Sequence, residues 1–329
     1  MNELLLIKAG EVSEILNNEE VIMEIVSKAY VSFTSGKCTL PQSVFLRFPN
    51  NNSNRIIGLP AYMGDDVDAA GIKWISSFPH NINHGIERAS ALMILNNVKN
   101  GHAEAVLESS IISAKRTAAS AAVAAHLIHS NPDETVVGFV GCGRINTEIS
   151  LFLKKKFKNI KRLIAFDMVP ERAEKFLYNI KAKDMDTEVV GSVEEVLKKA
   201  PLVSFATTAG VPYIHDISCF TPNSTILNIS LRDFGPNVIL KTDNIVDDLD
   251  HVCRENTAIH LTEQACGNRE FVRCPIADVI TGKEKGRVEG KTVVYSPFGL
   301  GVLDLALACY VRKEAKNKGL GTVIEDFLP

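Results

Sequence analysis

The sequence predicts an α/β protein in which a doubly wound parallel sheet is joined to a discontinuous α+β unit. Three observations carry this reading. From Glu134 onward, short apolar strands alternate with helical segments, the pattern of repeated βαβ units. Before that point the chain holds strand-like pieces separated by Asn, Gly, Pro and Asp. After it, Gly301–Arg312 reads as one more helix followed by a polar tail, expected to pack back on the first unit. The expected division is 1–130 together with 302–329, and 131–301.

Bulk properties narrow the function classes. The 329 residues suffice for two domains. Hydrophobic residues make up 46% and charged residues 23%, a globular balance. A formal net charge of −3 gives no electrostatic reason to expect nucleic acid or an anionic membrane as a partner. No apolar run is long enough to span a bilayer, and Met1–Val12 lacks the basic start and apolar stretch of a secretory signal. Seven cysteines (Cys38, Cys142, Cys219, Cys253, Cys266, Cys274 and Cys309) form no CxxC motif. They read as reduced thiols in a cytoplasmic protein. His80/His84 and His126/His129 have helical metal-pair spacing but lack a surrounding ligand set, so no metal is expected.

The elements follow in order. Glu19–Phe33 is an amphipathic helix with Val21, Ile22, Ile25, Val26, Ala29, Tyr30 and Phe33 on one face, capped by Asn17 or Asn18. Ser43–Phe48, Arg55–Tyr62, Ala70–Ser76 and Ala89–Asn96 read as strands, with a hairpin tip at Asn50–Asn54. Ser109–Ile128 is a long alanine-rich helix, whose small side chains permit close approach by a neighbour. Strands are then expected at Thr135–Val140, Arg162–Asp167, Thr187–Val190, Leu202–Ala206, Thr225–Ile229 and Asn244–Asp247. Helices are expected at Ile145–Lys156, Glu171–Lys181 and Ser192–Lys199.

The stretch Val136–Asn146 carries the G-x-G of a dinucleotide fingerprint. Its context is informative: the glycines follow an apolar strand and open a helix, which makes the sheet Rossmann-type. Gly141 permits a tight turn, and Gly143 lets backbone approach a pyrophosphate seated on the helix N-terminus. The third position is Asn146 where Gly or Ala is usual, so a looser helix–strand contact is expected. The second strand ends at Asp167, 26 residues beyond Gly141, against about 20 in the common form. A carboxylate there accepts hydrogen bonds from ribose hydroxyls and repels a 2′-phosphate. With no cation in Met168–Pro170, the expected cofactor is NAD.

Several polar residues stand out against apolar surroundings. Lys73 interrupts the strand Ala70–Ser77, and is either a snorkelling edge residue or a buried base. Arg47 raises the same question on a neighbouring strand. Arg116, among the small residues of Ser113–Ala119, has room for a carboxylate clamp, the alternative being a surface ion pair. Asp233 lies beyond the strand Thr225–Ile229, toward the ligand end of an open α/β sheet, although a helix cap or turn would also explain it. Together they suit an anionic substrate beside a nicotinamide.

These residues also carry a resemblance. The chain resembles the ornithine cyclodeaminase/μ-crystallin family over essentially its whole length. The marks are Gly71–Trp74, Ser113–Ala119, Gly141–Gly143, the strand leading to Asp233, and Ser296–Gly301. The resemblance implies a homodimer, with the first unit and terminal helix providing substrate binding and dimerisation. It implies that Arg47, Lys73 and Arg116 contact the substrate carboxylate, Arg116 also lying near the nicotinamide. Asp233 would be the catalytic acid/base, with Lys73 polarising the carboxylate or accepting a proton. Gly141, Gly143, Arg144, Ile145, Asp167, Thr207 and Asn228 to Ser230 would line NAD, and Phe298 and Gly299 would close over its ring. Many members carry a Lys soon after the Asp, where this chain has Phe234–Asn237. Arg88 and Arg232 are extra cations that suit an additional carboxylate on a substrate made of two amino acids. The expected active site lies between the two domains. Cyclodeamination, alanine dehydrogenation and nucleotide binding without turnover all remain open on this framework, although retention of Lys73 and Asp233 argues against the last.

Overall fold

Two units divide the chain: Met1–Arg116 with Leu300–Pro329, and Thr117–Gly299. The structure, a computed structural model, describes residues 3–328 except Asp66 and Lys183, with Asn52 described by its backbone alone.

The first segment runs β1 (Leu4–Ile7), α1 (Ala9–Ile15), α2 (Glu19–Thr34), β2 (Cys38–Thr39), β3 (Val44–Phe48), β4 (Asn51–Met63), β5 (Ala69–Ser77), β6 (Ala89–Asn96), β7 (Ala103–Glu108) and α3 (Ser110–Ile128). The middle segment runs β8 (Val136–Val140), α4 (Arg144–Lys156), β9 (Arg162–Phe166), α5 (Pro170–Ile180), β10 (Asp186–Val189), α6 (Val193–Lys199), β11 (Leu202–Phe205) and β12 (Thr225–Asn228). It continues α7 (Pro236–Ile239), β13 (Asp243–Val246), α8 (Leu249–Val252), α9 (Ala258–Cys266), β14 (Val272–Pro275), α10 (Ile276–Ile280) and β15 (Val293–Ser296). The chain closes with α11 (Gly301–Lys318) and β16 (Thr322–Ile324).

In the first unit the sheet order is β16-β1-β7-β6-β5-β4-β2, with β3 also paired to β4. Strands β3 to β7 form an antiparallel meander, and β1 runs parallel to β7. The two-residue period of β5 explains the odd lysine: Lys73 sits on the face covered by α11, and Trp74 on the open face. At Gly71 an added Cβ would stand 2.4 Å from the Ile94 carbonyl and 3.3 Å from Leu305 of α11. The helix therefore packs down on the sheet where glycine leaves space. The hairpin turn is Pro49–Asn50, because Asn51 already pairs with Phe48. The polar tail forms β16, antiparallel to β1, once α11 ends at Gly319 with φ +65°.

In the second unit the sheet is parallel throughout, in the order β10-β9-β8-β11-β12-β15-β13-β14. The fold is thus α/β, with a doubly wound Rossmann-type sheet. The chain winds outward from β8 through β9 and β10, then returns to lay β11 on the other side. Ligands bind at such a switch point, beyond the carboxyl ends of the strands.

Candidate functional site

The β8 end is built as an anion cradle. Gly141 takes φ +83°, and its N–H donates to the Phe166 carbonyl at 2.9 Å. A Cβ there would stand 2.6 Å from the Ala206 carbonyl, so only glycine fits between the ends of β8 and β11. Gly143 has open space around its Cα and caps α4 without any side-chain cap bond, which leaves the N-terminal N–H groups at Arg144 and Ile145 to face a phosphate. Asp167 Oδ2 accepts the Cys142 N–H at 2.8 Å, and Oδ1 accepts the Val169 N–H at 3.0 Å. This carboxylate therefore fixes the turn that it is also placed to extend toward a ribose. The arrangement fits a dinucleotide.

Asn146 corrects the expectation of a loosened corner. Fully buried, its Nδ2 donates to the carbonyls of Gly141 (2.7 Å), Val140 (3.1 Å) and Ser204 (3.3 Å), and its Oδ1 accepts the Ser204 hydroxyl at 2.7 Å. It stitches α4 to β8 and β11, doing by hydrogen bonding what a third glycine does by close packing.

Farther along the same sheet edge stands Asp233, fully buried. The chain leaves β12 through Asn228, whose amide donates to Ser296 Oγ at 3.0 Å, and turns at Leu231 with φ +69°, a costly conformation for a bulky residue. Asp233 Oδ1 accepts the hydroxyls of Thr207 (2.6 Å) and Tyr213 (2.9 Å), and Oδ2 accepts the hydroxyl of Ser230. A carboxylate offers about four lone-pair positions, so one position on Oδ2 remains for a reacting proton. Tyr213 is inverted for a surface tyrosine: the residue is 42% exposed while its hydroxyl is turned inward onto the carboxylate. Burial, together with the Asp233 charge, pushes this phenol well above its ordinary range, so it stays a donor. Phe298 and Gly299 are held from below by buried Asp247, which accepts their N–H groups at 2.9 and 2.6 Å. Burial pushes the Asp247 carboxyl up against these donors.

The first unit holds a second cluster. Lys73, 2% exposed, donates to Asp304 Oδ2 at 2.7 Å and to Ser113 Oγ at 3.3 Å. Arg116 Nε donates to Asp304 Oδ1 at 3.3 Å. Burial pushes the Lys73 ammonium down to about 8; Asp304 opposes this, and the Arg116 charge adds to it. Two cations share one carboxylate, which leaves a net positive charge suited to an incoming carboxylate.

The other predicted cations divide. Arg88 Nη1 donates to Ser77 Oγ at 3.1 Å, on the Lys73 face of β5. Arg47 is exposed on β3, with its guanidinium 5.4 Å from the Phe45 ring centroid. Arg232 differs: its Nε and Nη2 donate to the Glu255 carbonyl at 3.2 and 2.8 Å, which anchors the loop after α8. Among the described residues no group of three or more His, Cys, Asp or Glu is gathered as a metal would require. Nor is any helix among them long and apolar enough to cross a membrane.

The sequence model of the ornithine cyclodeaminase/mu-crystallin family matches residues 3–319. The chain belongs to that family. It is similar to the N-((2S)-2-amino-2-carboxyethyl)-L-glutamate dehydrogenase of Staphylococcus aureus, 26% identical and covering 94% of both chains. An archaeal alanine dehydrogenase, solved as a dimer with bound NAD, superposes with a TM-score of 0.87 at 25% identity, over 98% of this chain and 99% of its own. The Δ1-pyrroline-2-carboxylate reductase of Thermococcus litoralis, solved with NADH and L-proline, superposes with a TM-score of 0.89 over 97% and 99%. At 23% identity it shows the fold alone.

Three residues escaped the sequence reading of this family member: Asp304, Tyr213 and Asp247. Asp304 left a signal, as the one carboxylate in the apolar run Gly301–Ala308. A buried lysine needs such a partner. Tyr213 left none, since its hydroxyl reaches Asp233 only through the path of the loop after β11.

Proposed function

We propose that this protein is an NAD-dependent dehydrogenase of amino-acid C–N bonds. Its proposed substrate is N-(2-amino-2-carboxyethyl)-L-glutamate, cleaved to 2-oxoglutarate and L-2,3-diaminopropionate, an amine building block of the kind siderophore assembly consumes. The observation that carries the reading is the dinucleotide cradle and the buried Asp233 standing along one edge of the same sheet. The family membership and the similarity to the staphylococcal dehydrogenase support the substrate.

Bound at Gly141–Ile145 and Asp167, with Thr207, Asn228, Ser230, Phe298 and Gly299 toward the ring, NAD supplies the hydride acceptor. Lys73 and Arg116 hold the substrate α-carboxylate. Burial favours the neutral amine of Lys73, and once its own proton has passed to solvent this amine accepts the substrate amine proton that must leave before the α-carbon is oxidised. The resulting protonated imine of the substrate takes up water. Asp233 takes one proton from that water through the open position on Oδ2 and returns it to the departing nitrogen; as the C–N bond breaks and the C=O bond forms, the remaining hydroxyl proton of the carbinolamine passes to solvent, leaving the oxo acid and the amine. The proton acceptor and donor are one group because the two transfers are sequential.

The open face of the first sheet supports a homodimer. Val44, Gly58, Trp74 and Leu92 share one cross-strand row. Val44 is 63%, Leu92 50% and Trp74 41% exposed. A contiguous apolar patch of this kind marks an interface, and we propose a second copy as its occupant. The free state of all seven cysteines supports a cytoplasmic location.

NADH formation by the full chain with the glutamate conjugate, L-ornithine and L-alanine tests the reading. The fastest turnover is expected with the conjugate. Faster turnover with ornithine or alanine would move the substrate assignment, and none with any of the three would contradict the enzyme reading.

A further inference from the structure

Cross-strand register gathers three arginines at one end of the first sheet. Arg47 stands directly opposite Arg55, and Arg55 directly opposite Ser77. Arg88 donates to Ser77 Oγ at 3.1 Å. Directly paired residues on adjacent strands project to the same face. Ser77 and Lys73 are four positions apart on β5, so this face is also the one that carries Lys73. Burial holds the Arg88 guanidinium below its ordinary range, and the charge of Arg55 adds to the effect. Like charges set opposite one another on a sheet are destabilising. The segments that build this end, residues 43–56 and 76–91, contain a single carboxylate, Glu87, against these three arginines. The local excess is positive however Glu87 is paired.

We infer that Arg47, Arg55 and Arg88 form a second anion subsite. It takes a carboxylate remote from the reacting C–N bond, so the preferred substrates carry at least two carboxylates. This rests on the proposed function, in which Lys73 and Arg116 take the first carboxylate. Ser77 lies four residue steps beyond Lys73, about 13 Å along β5. Arginine stems close part of that gap, and a second carboxylate several bonds from the first, as on 2-oxoglutarate or the glutamate conjugate, closes the rest, whereas alanine does not reach. The guanidinium fork suits a carboxylate, which it binds through two parallel hydrogen bonds. Arg55 becomes the residue that selects for substrate length and charge. Arg232, tied to the Glu255 carbonyl, is not required for this.

The test is binding of 2-oxoglutarate and of pyruvate to the NADH-loaded full chain, by titration calorimetry. Wild type is expected to bind 2-oxoglutarate at least tenfold more tightly. Arg55→Gln and Arg88→Gln should each remove about tenfold of 2-oxoglutarate affinity and leave pyruvate within twofold. Arg116→Gln should weaken both oxo acids. Equal affinities in wild type, or an Arg55→Gln variant that weakens both acids alike, would overturn the subsite. An Arg116→Gln variant that weakens neither, or failure of wild type to bind either acid, would instead contradict the underlying functional reading and take the subsite with it.

Discussion

The two ionisable groups placed at the centre of the chemistry are held in opposite ways. Asp233 is surrounded by neutral donors: the hydroxyls of Thr207, Tyr213 and Ser230. Lys73 is held by charge, through Asp304 and beside Arg116. Neutral donors satisfy a buried carboxylate while leaving no countercharge to trap a proton elsewhere. An ion pair in the interior is costly to break from either side, because the surviving charge stays buried. On the proposed mechanism, the Asp233 environment serves proton transfer at the substrate, and the Lys73 environment supplies positive charge beside the substrate carboxylate.

Three measurements sharpen or break this contrast. The largest effect is expected on removing the carboxylate of the charged cluster. Asp304→Ala leaves Lys73 and Arg116 without it, and should lower unfolding free energy by about 3–5 kcal/mol in denaturant titration. A loss below about 1 kcal/mol would mean that the cluster is solvated in solution. Next comes pH. Lys73 falls from an ordinary 10.5 to about 8 in the folded state. Between those values the unfolded chain binds more protons, so this lysine should raise stability as pH increases from about 8 to 10.5. Wild type should show that increment and Lys73→Met should lack it; identical slopes would contradict the assignment. The smallest effect belongs to the neutral cluster. Tyr213→Phe removes one of three donors to the carboxylate and should lower kcat about tenfold, given the worth of a hydrogen bond to a charged group. KM for NAD should stay within twofold. A change confined to KM would make Tyr213 a binding residue.

Much of the nucleotide end was legible in the sequence, because it depends on local order: an apolar strand, two glycines, a helix, a second strand ending in Asp167. Even there, Asn146 reads as a weakness until its four hydrogen bonds are seen. The strands β14, β15 and β1 leave no clear mark in the sequence. Strands of four residues are too short to show alternation, and periodicity does not separate them from apolar loops or helix fragments. β7, with its alanines and glutamates, has weak strand propensity and is held by pairing to β6 and β1. The charged cluster was half legible. Lys73 and Arg116 stood out, but Asp304 lies 231 residues from Lys73 in the chain, and only the return of α11 to the first unit joins them. The row Arg47, Arg55, Ser77 likewise depends on strand register, which the Asn-rich hairpin obscured by placing its turn at Pro49–Asn50.

Asp233 is proposed as the group that moves protons at the bound substrate. Its most direct test is turnover of Asp233→Asn with the glutamate conjugate, alongside NADH affinity by fluorescence titration. The side chain keeps its shape and loses its basic oxygen. Turnover is expected to fall about 10²- to 10⁴-fold, the usual worth of a positioned acid/base, with NADH affinity unchanged. Wild-type turnover in that variant would contradict the account.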